Sequence, residues 1–204
     1  MTEWTTSDWH CYHPNIHLYE TSRPDNDEEV MFANWARLVQ PEDTVYFLGD
    51  LVLTGSPGRK KVELAMREMP GRKVFVRGNH DKKLSDAYLA ACGFEEVHQL
   101  YLHLPERRML LSHYPLTNVD QRYLDRIAEL NRVFDELGCL IQVHGHTHHA
   151  WSRDARCVNV SVEVAGFRPV TLDEVVEMGR RRANEDIDKP IVFPTPGAEM
   201  FQSR

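Results

Sequence analysis

The chain has 204 residues, with 31 acidic against 24 basic side chains and a formal charge of −7. That length suits one domain with a sizeable core, and the acidic balance argues against broad, nonspecific binding of nucleic acid. Cys11, Cys92, Cys139 and Cys157 form no CxxC pattern, the start Met1-Thr2-Glu3-Trp4 lacks a basic and apolar leader, and no run approaches the roughly 20 apolar residues of a membrane span, so a reduced, cytoplasmic protein without a membrane partner is expected.

Five short, β-prone runs each lead into polar residues. Glu3-Trp4-Thr5-Thr6-Ser7 precedes Asp8-Trp9-His10, and Thr44-Val45-Tyr46-Phe47-Leu48 precedes Gly49-Asp50. Lys73-Val74-Phe75-Val76-Arg77 precedes Gly78-Asn79-His80-Asp81, Met109-Leu110-Leu111-Ser112 precedes His113, and Cys139-Leu140-Ile141-Gln142-Val143 precedes Gly145-His146-Thr147-His148. On extended backbone, residues two apart share a face. Asp8 with His10, and His146 with His148, are therefore predicted to present paired ligands, while the neighbours Asn79 and His80 diverge. Strand-end ligands gather at one rim of a sheet.

Between these runs, helical spacing predicts a helix over about residues 27 to 39, with Asp25 and Asp27 as candidate N-caps. Others are expected around Val62 to Met69, ended by Pro70-Gly71, around Lys83 to Ala91, and from Asp120 to Leu137. The segment from Val97 to Leu104, continued past Pro105-Glu106, reads as a hairpin leading to His113. Arg156 to Val164 reads as a further strand. A catalytic domain over 1–182 and a tail over 183–204 are expected, since the latter has little periodicity. The alternation of strand and helix predicts an α/β layered fold.

Taken singly the motifs are weak. Asp-x-His pairs are common on surfaces, Gly-Asp is usually a turn, Gly-Asn-His-Asp can be a turn with a left-handed Asn, and a lone His113 reads as structural. Seven metal-competent side chains in order, each at a strand end, point instead to a site for two metal ions acting on phosphate esters.

The set D-x-H, GD, GNH followed by D, a lone H and GHxH resembles the calcineurin-like metallophosphoesterase superfamily. Ser22-Arg23-Pro24, and Val158-Asn159-Val160 leading to Phe167-Arg168-Pro169-Val170, resemble its small stand-alone prokaryotic and phage members. The resemblance implies a two-sheet β-sandwich flanked by helices in four layers. It implies one metal on Asp8, His10, Asp50 and His148, and a second on Asp50, Asn79, His113 and His146, bridged by Asp50. His80 would serve as general acid or as a donor to the transition state, with Asp81 orienting its imidazole. Asn79, Arg23 and His13 would face the phosphate. Mixed imidazole and oxygen ligation suits manganese, iron, zinc or nickel better than magnesium.

The expected function is hydrolysis by a metal-activated hydroxide, leaning to phosphodiesters of small substrates, nucleotides included. A phosphomonoesterase or protein phosphatase, and a noncatalytic binding module on the same fold, are the alternatives. The sequence carries no sign of oligomeric state. Outside the motifs, His144 reads as a strand residue bonded to backbone and His149 as solvent-facing. The runs Arg59-Lys60-Lys61 and Arg180-Arg181-Arg182 read as solvated helix faces.

Overall fold

Short apolar runs become two packed sheets in the computed structural model, which describes residues 1–53, 55–117, 121–152, 154–184 and 193. In chain order the elements are β1 (Glu3–Thr6), α1 (Ile16–Tyr19), α2 (Asp27–Leu38), β2 (Thr44–Phe47), α3 (Arg59–Glu68), β3 (Arg72–Val76), α4 (Asp86–Ala91), β4 (Phe94–His98) and β5 (Tyr101–Leu104). They continue with β6 (Met109–Ser112), α5 (Leu124–Glu136), β7 (Ile141–His144), β8 (Cys157–Asn159), α6 (Val162–Ala165), β9 (Val170–Thr171) and α7 (Leu172–Asn184). The first sheet has the order β4-β3-β2-β1-β9 and is parallel except for β9. The second has the order β5-β6-β7-β8 and is parallel except for β5.

Strand alternation sorts the side chains into layers. Val45, Phe47 and Phe75 face outward to Met31 and Trp35 of α2, Met66 of α3 and Leu89 of α4. Tyr46, Leu48, Val74 and Val76 face inward to Met109, Leu111 and Val143 of the second sheet. Leu110 points the other way, to Leu130, Val133 and Phe134 of α5. The result is the helix, sheet, sheet, helix sandwich that the resemblance implies.

Several elements differ from expectation. The run from Val97 to Leu104 is split between sheets: β4 pairs with β3, whereas β5 pairs with β6. The hairpin is thus β5 and β6 alone, closed by a 3₁₀ turn over Pro105–Arg107 with Arg108 left-handed at φ 52°. The strand expected to reach Val164 stops at Asn159. Beyond it, Val162 donates its N–H to Ser7 O at 3.2 Å and α6 begins. The fourth predicted helix begins at Leu124, after a 3₁₀ turn over Gln121–Tyr123, and Asp120 lies outside the described residues.

The helical face expected at Arg180-Arg181-Arg182 belongs to α7, which begins earlier, and its Leu172, Val175 and Met178 are buried in the inter-sheet core. Arg182 corrects the reading of a solvated basic run. It is 1% exposed, with its guanidinium 4.7 Å from the Trp151 ring centroid and Nη2 donating to Ser152 O. Its aliphatic stem covers apolar surface while the head finds an aromatic face and a carbonyl. Of the expected tail beyond α7, only Phe193 is described, and it is buried against the same core.

Trp35 ties α2 to the first sheet. It is fully buried, donates Nε1–H to Pro70 O at 2.9 Å and packs edge-on against Trp9 at 5.7 Å. Trp35→Ala is expected to cost about 3 to 5 kcal/mol, read as a lowered denaturant midpoint with unchanged m-value. A loss under about 1 kcal/mol would contradict this packing.

Candidate metal centre

The parallel strands β1, β2 and β3 of one sheet, and β6 and β7 of the other, lead at their C-terminal ends into the polar motifs. There the backbone departs from expectation. Asp8, His10, Asp50, His146 and His148 have φ values of 61°, 48°, 58°, 69° and 49°. The D-x-H and H-x-H pairs are therefore left-handed turns beyond the strand ends, not extended strand. Asp and His are among the few side chains enriched there, at a cost of about 1 kcal/mol or more each. Hydrogen bonds hold the strained turns together: Asp8 N to Gly49 O at 3.0 Å and His10 N to Asp50 O at 2.9 Å. Gly49 has φ 87°, and a Cβ there would strike the Gly78 backbone; one on Gly145 would strike the Ser7 and Asp8 side chains.

The seven predicted ligands come together, and several are held by one polar atom while another faces the centre. Asp8 Oδ2 accepts from His146 N at 2.9 Å and Ser161 Oγ at 3.0 Å, whereas buried Oδ1 has no hydrogen-bond partner among the described residues. Asp50 Oδ1 accepts from His80 N at 2.9 Å, while Oδ2 lies 3.6 Å from His10 Nε2 and 3.4 Å from His113 Nε2. His148 Nδ1 lies 2.9 Å from Glu163 Oε1 and His113 Nδ1 lies 2.8 Å from Leu48 O, each placed to donate. His113 Nε2 lies 2.9 Å from Asn79 Oδ1. His146 Nδ1 is 3.2 Å from the same nitrogen.

These observations fit divalent cations. Asp8, His10 and His148 offer ligand atoms within 4.8 Å of one another, as do Asp8, Asp50 and His113. Asp8 Oδ1 and the His10 ring nitrogens, buried polar atoms without a hydrogen-bond partner among the described residues, are stabilised by a positive ion beside them. Electrostatics points the same way. Asp50 is pushed well above the usual carboxylate range, first by burial and then by Asp81 and Asp8. Burial also acts to raise Asp8, but His113, His148 and His10 outweigh it and hold it below that range. Burial lowers His10 strongly, and lowers His146 to about 3 with help from His113, leaving both neutral and able to ligate. For His148 burial acts downward, but the Glu163 hydrogen bond and Asp8 raise it to about 9.

The remaining predicted residues take different places. His80 is 43% exposed at the side chain and lies on the cleft, its Nε2 4.0 Å from Asp50 Oδ2. Asp81 does not orient it: the Asp81 carboxylate is buried and accepts from Asp50 N at 2.6 Å, Gly78 N at 2.8 Å and Leu51 N at 3.3 Å. It is spent on fastening the turns after β2 and β3. Arg23 does not reach the phosphate side. Its buried guanidinium donates to Glu163 Oε1, Asp27 Oδ2, Trp9 O and Asp8 O at 2.6 to 3.0 Å. It braces the carboxylate behind His148. His13 stands 6.0 Å from the His10 ring, with Nδ1 accepting from Asn15 N. His144 is buried and bonds the Gly145 carbonyl, and His149 is 72% exposed beside Glu20, both as expected.

Sequence reasoning missed Glu163, Ser161 and Asn159. Asn159 Nδ2 grips Thr147 Oγ1, His148 O and Ala150 O, shaping the H-x-H turn. It also missed Arg122 and Tyr123, which line a cleft of about 310 Å³ together with Asp50, Asn79, His80, His146 and His148. The Tyr123 ring lies 5.1 Å from that of His146.

A donor set of this kind at the rim of a two-sheet sandwich is a candidate metal-binding site of the sort that metal-dependent phosphoesterases carry. The chain belongs to the calcineurin-like phosphoesterase family, whose pattern it matches over residues 1–150. It is 34% identical over 180 residues to an uncharacterized protein of Methanocaldococcus jannaschii, covering 84% of this chain and 88% of that one. It is 30% identical over 194 residues to the gene 66 protein of Mycobacterium phage D29, covering 86% and 94%. Among solved structures it is similar to a protein of unknown function from Aquifex aeolicus, with a TM-score of 0.73 and 31% identity over 87% of this chain and 98% of that one.

Because His148 holds a proton below about 9, a cation there competes with it, so metal affinity is expected to fall as pH falls. Calorimetry in buffers of different ionisation enthalpy should show proton release on metal binding at pH 7; none would contradict the assignment of His148. Glu163→Gln should weaken metal affinity by roughly 10-fold or more by loosening that imidazole. An unchanged affinity would make Glu163 purely structural.

Proposed function

We propose that the protein hydrolyses phosphate esters at a centre of two divalent cations, with small phosphodiesters, nucleotides among them, as preferred substrates and phosphomonoesters second. The observation that carries this reading is the convergence of Asp8, His10, Asp50, Asn79, His113, His146 and His148, with buried donor atoms that have no protein partner. One ion would be held by Asp8, His10, Asp50 and His148, and the other by Asp50, Asn79, His113 and His146. Manganese, iron, zinc and nickel suit this mixture of imidazole and oxygen better than magnesium does. When bound, such ions supply Lewis acidity toward water and the phosphoryl group.

The chain's own residues do the rest. Asp50, between two imidazoles and gripped by the His80 amide, fixes the centre. His80 offers its ring to the cleft. Burial, followed by His113 and His13, lowers its pKa below the ordinary histidine value, so at neutral pH the ring is neutral. Its N–H then stabilises charge on the phosphoryl or leaving oxygen by a hydrogen bond. This favours transition-state donation over full proton transfer from an imidazolium. The cleft of about 310 Å³, which Arg122 and Tyr123 line together with the histidines, has room for a small ester with a second arm, which supports the diester preference. An intact donor set with a histidine on the cleft disfavours a noncatalytic binding module. A cytoplasmic setting is supported by four buried, free cysteines; among the described residues no helix is long and apolar enough to cross a membrane.

Chelator-stripped protein should regain turnover of bis(4-nitrophenyl) phosphate, and more weakly of 4-nitrophenyl phosphate, when manganese, nickel, iron or zinc is restored. No turnover of either ester with any metal would overturn the proposal. Asp50→Asn should abolish activity and lower metal occupancy. His80→Ala should keep its metals and lose roughly 100-fold or more in kcat, while an activity within about twofold of the parent would remove His80 from the reaction.

A further inference from the structure

A second cleft adjoins the metal centre. Its volume is about 350 Å³ and Arg77, Gly78, Lys82, Asp86 and Arg126 line it. Gly78 belongs to this cleft, whereas its chain neighbours Asn79 and His80 line the catalytic one. The two spaces are therefore separated by one or two residues of backbone, roughly 4 to 8 Å. Aromatic rings join them on the other side. Tyr123 lies 5.1 Å from His146 and 4.9 Å from Tyr114, and Tyr114 is capped by the Arg126 guanidinium at 5.2 Å.

The charges of this cleft are unequal. Arg77 is committed to structure, donating to Asp81 O at 2.8 Å and Leu84 O at 2.9 Å and pairing with Asp86. That pair cancels. Lys82 is exposed and forms no ion pair among the described residues; its Nζ stands 6.0 Å from the Tyr123 ring centroid. Arg126 is bonded to the Tyr114 hydroxyl, a neutral partner, at 3.2 Å. Two positive charges with no acidic partner among the described residues thus line a concave space beside the centre, on a chain whose total charge is −7. Such a focused field attracts an anion, and a guanidinium and an ammonium suit phosphoryl oxygens.

Resting on the phosphoesterase reading and deepening it, we propose that Lys82 and Arg126 form a subsite for a second phosphoryl group, so that the preferred substrate is an ester carrying two phosphates a short span apart. A nucleoside bisphosphate, a nucleoside polyphosphate and the end of an oligonucleotide all present this chemistry.

Two chromogenic diesters that differ only in the second phosphate test it: thymidine 5′-(4-nitrophenyl phosphate) and its 3′-phosphorylated form. The manganese-loaded parent should show the higher kcat/KM on the 3′-phosphorylated compound by roughly 10-fold or more. Lys82→Ala and Arg126→Gln should each collapse that ratio toward one, and Lys82→Glu should invert it. A ratio near one in the parent, or a ratio unmoved by these changes, would overturn the subsite while leaving hydrolysis itself standing. Binding supplies a readout independent of turnover. Calorimetry should show thymidine 3′,5′-bisphosphate bound more tightly than thymidine 5′-phosphate by the parent and not by Lys82→Glu; equal affinities in the parent would contradict the subsite even if neither ester were cleaved. If it stands, thymidine diphosphate against a 5′-phosphorylated dinucleotide distinguishes a polyphosphate from a nucleic-acid end.

Discussion

Asp8 joins the two halves of the molecule with one oxygen and serves the centre with the other. Its Oδ2 accepts from the His146 amide and the Ser161 hydroxyl, residues of the second sheet's loops, while Asp8 itself follows the first strand of the first sheet. The same edge is closed by His113 Nδ1 beside Leu48 O and by the Ser7 hydroxyl donating to that carbonyl at 2.8 Å. Two sheets packed through apolar faces could slide or splay at their rims. These polar links fix the rims, and the ligands of both sheets then meet at distances near 3 to 4 Å.

The arrangement concentrates unfavourable electrostatics. Asp8, Asp50 and Asp81 are all buried, and burial acts to raise each of them. Asp81 is compensated by three backbone amides; Asp50 has one amide and the imidazoles of His113, His10 and His80 at 3.4 to 4.0 Å. Burying charge without a partner is costly, and left-handed backbone at five ligand positions adds strain. Such strain persists only where the surroundings over-determine it. Here the surroundings are the turn-to-turn hydrogen bonds, the Asp81 clamp and the Arg23–Glu163–His148 chain, and a divalent metal is the compensation that the donor set fits.

Much of this was legible in the sequence because the motif side chains are the chemistry itself. Asp8, His10, Asp50, Asn79, His113, His146 and His148 do converge, and strand ends do form the rim. Extended geometry does not account for their pairing: left-handed turns bring the ligands in. Arg23 and Asp81 were recognised as special but given direct roles, since sequence spacing cannot show that their partners are Glu163, 140 residues away, and the amides of Asp50 and Gly78. Glu163 and Ser161 had no local signature, because their meaning lies wholly in His148 and Asp8. The arginines of α7 mark a helix but read as solvated, because sequence alone does not show that Arg182 is buried on Trp151.

The central claim is that two cations sit on either side of Asp50. Anomalous diffraction from crystals grown with manganese tests it most directly. The account predicts two peaks about 3.5 to 4 Å apart, both touching the Asp50 carboxylate, one beside His10 and His148 and the other beside His113 and His146. A single peak, or two that do not share Asp50, would contradict it.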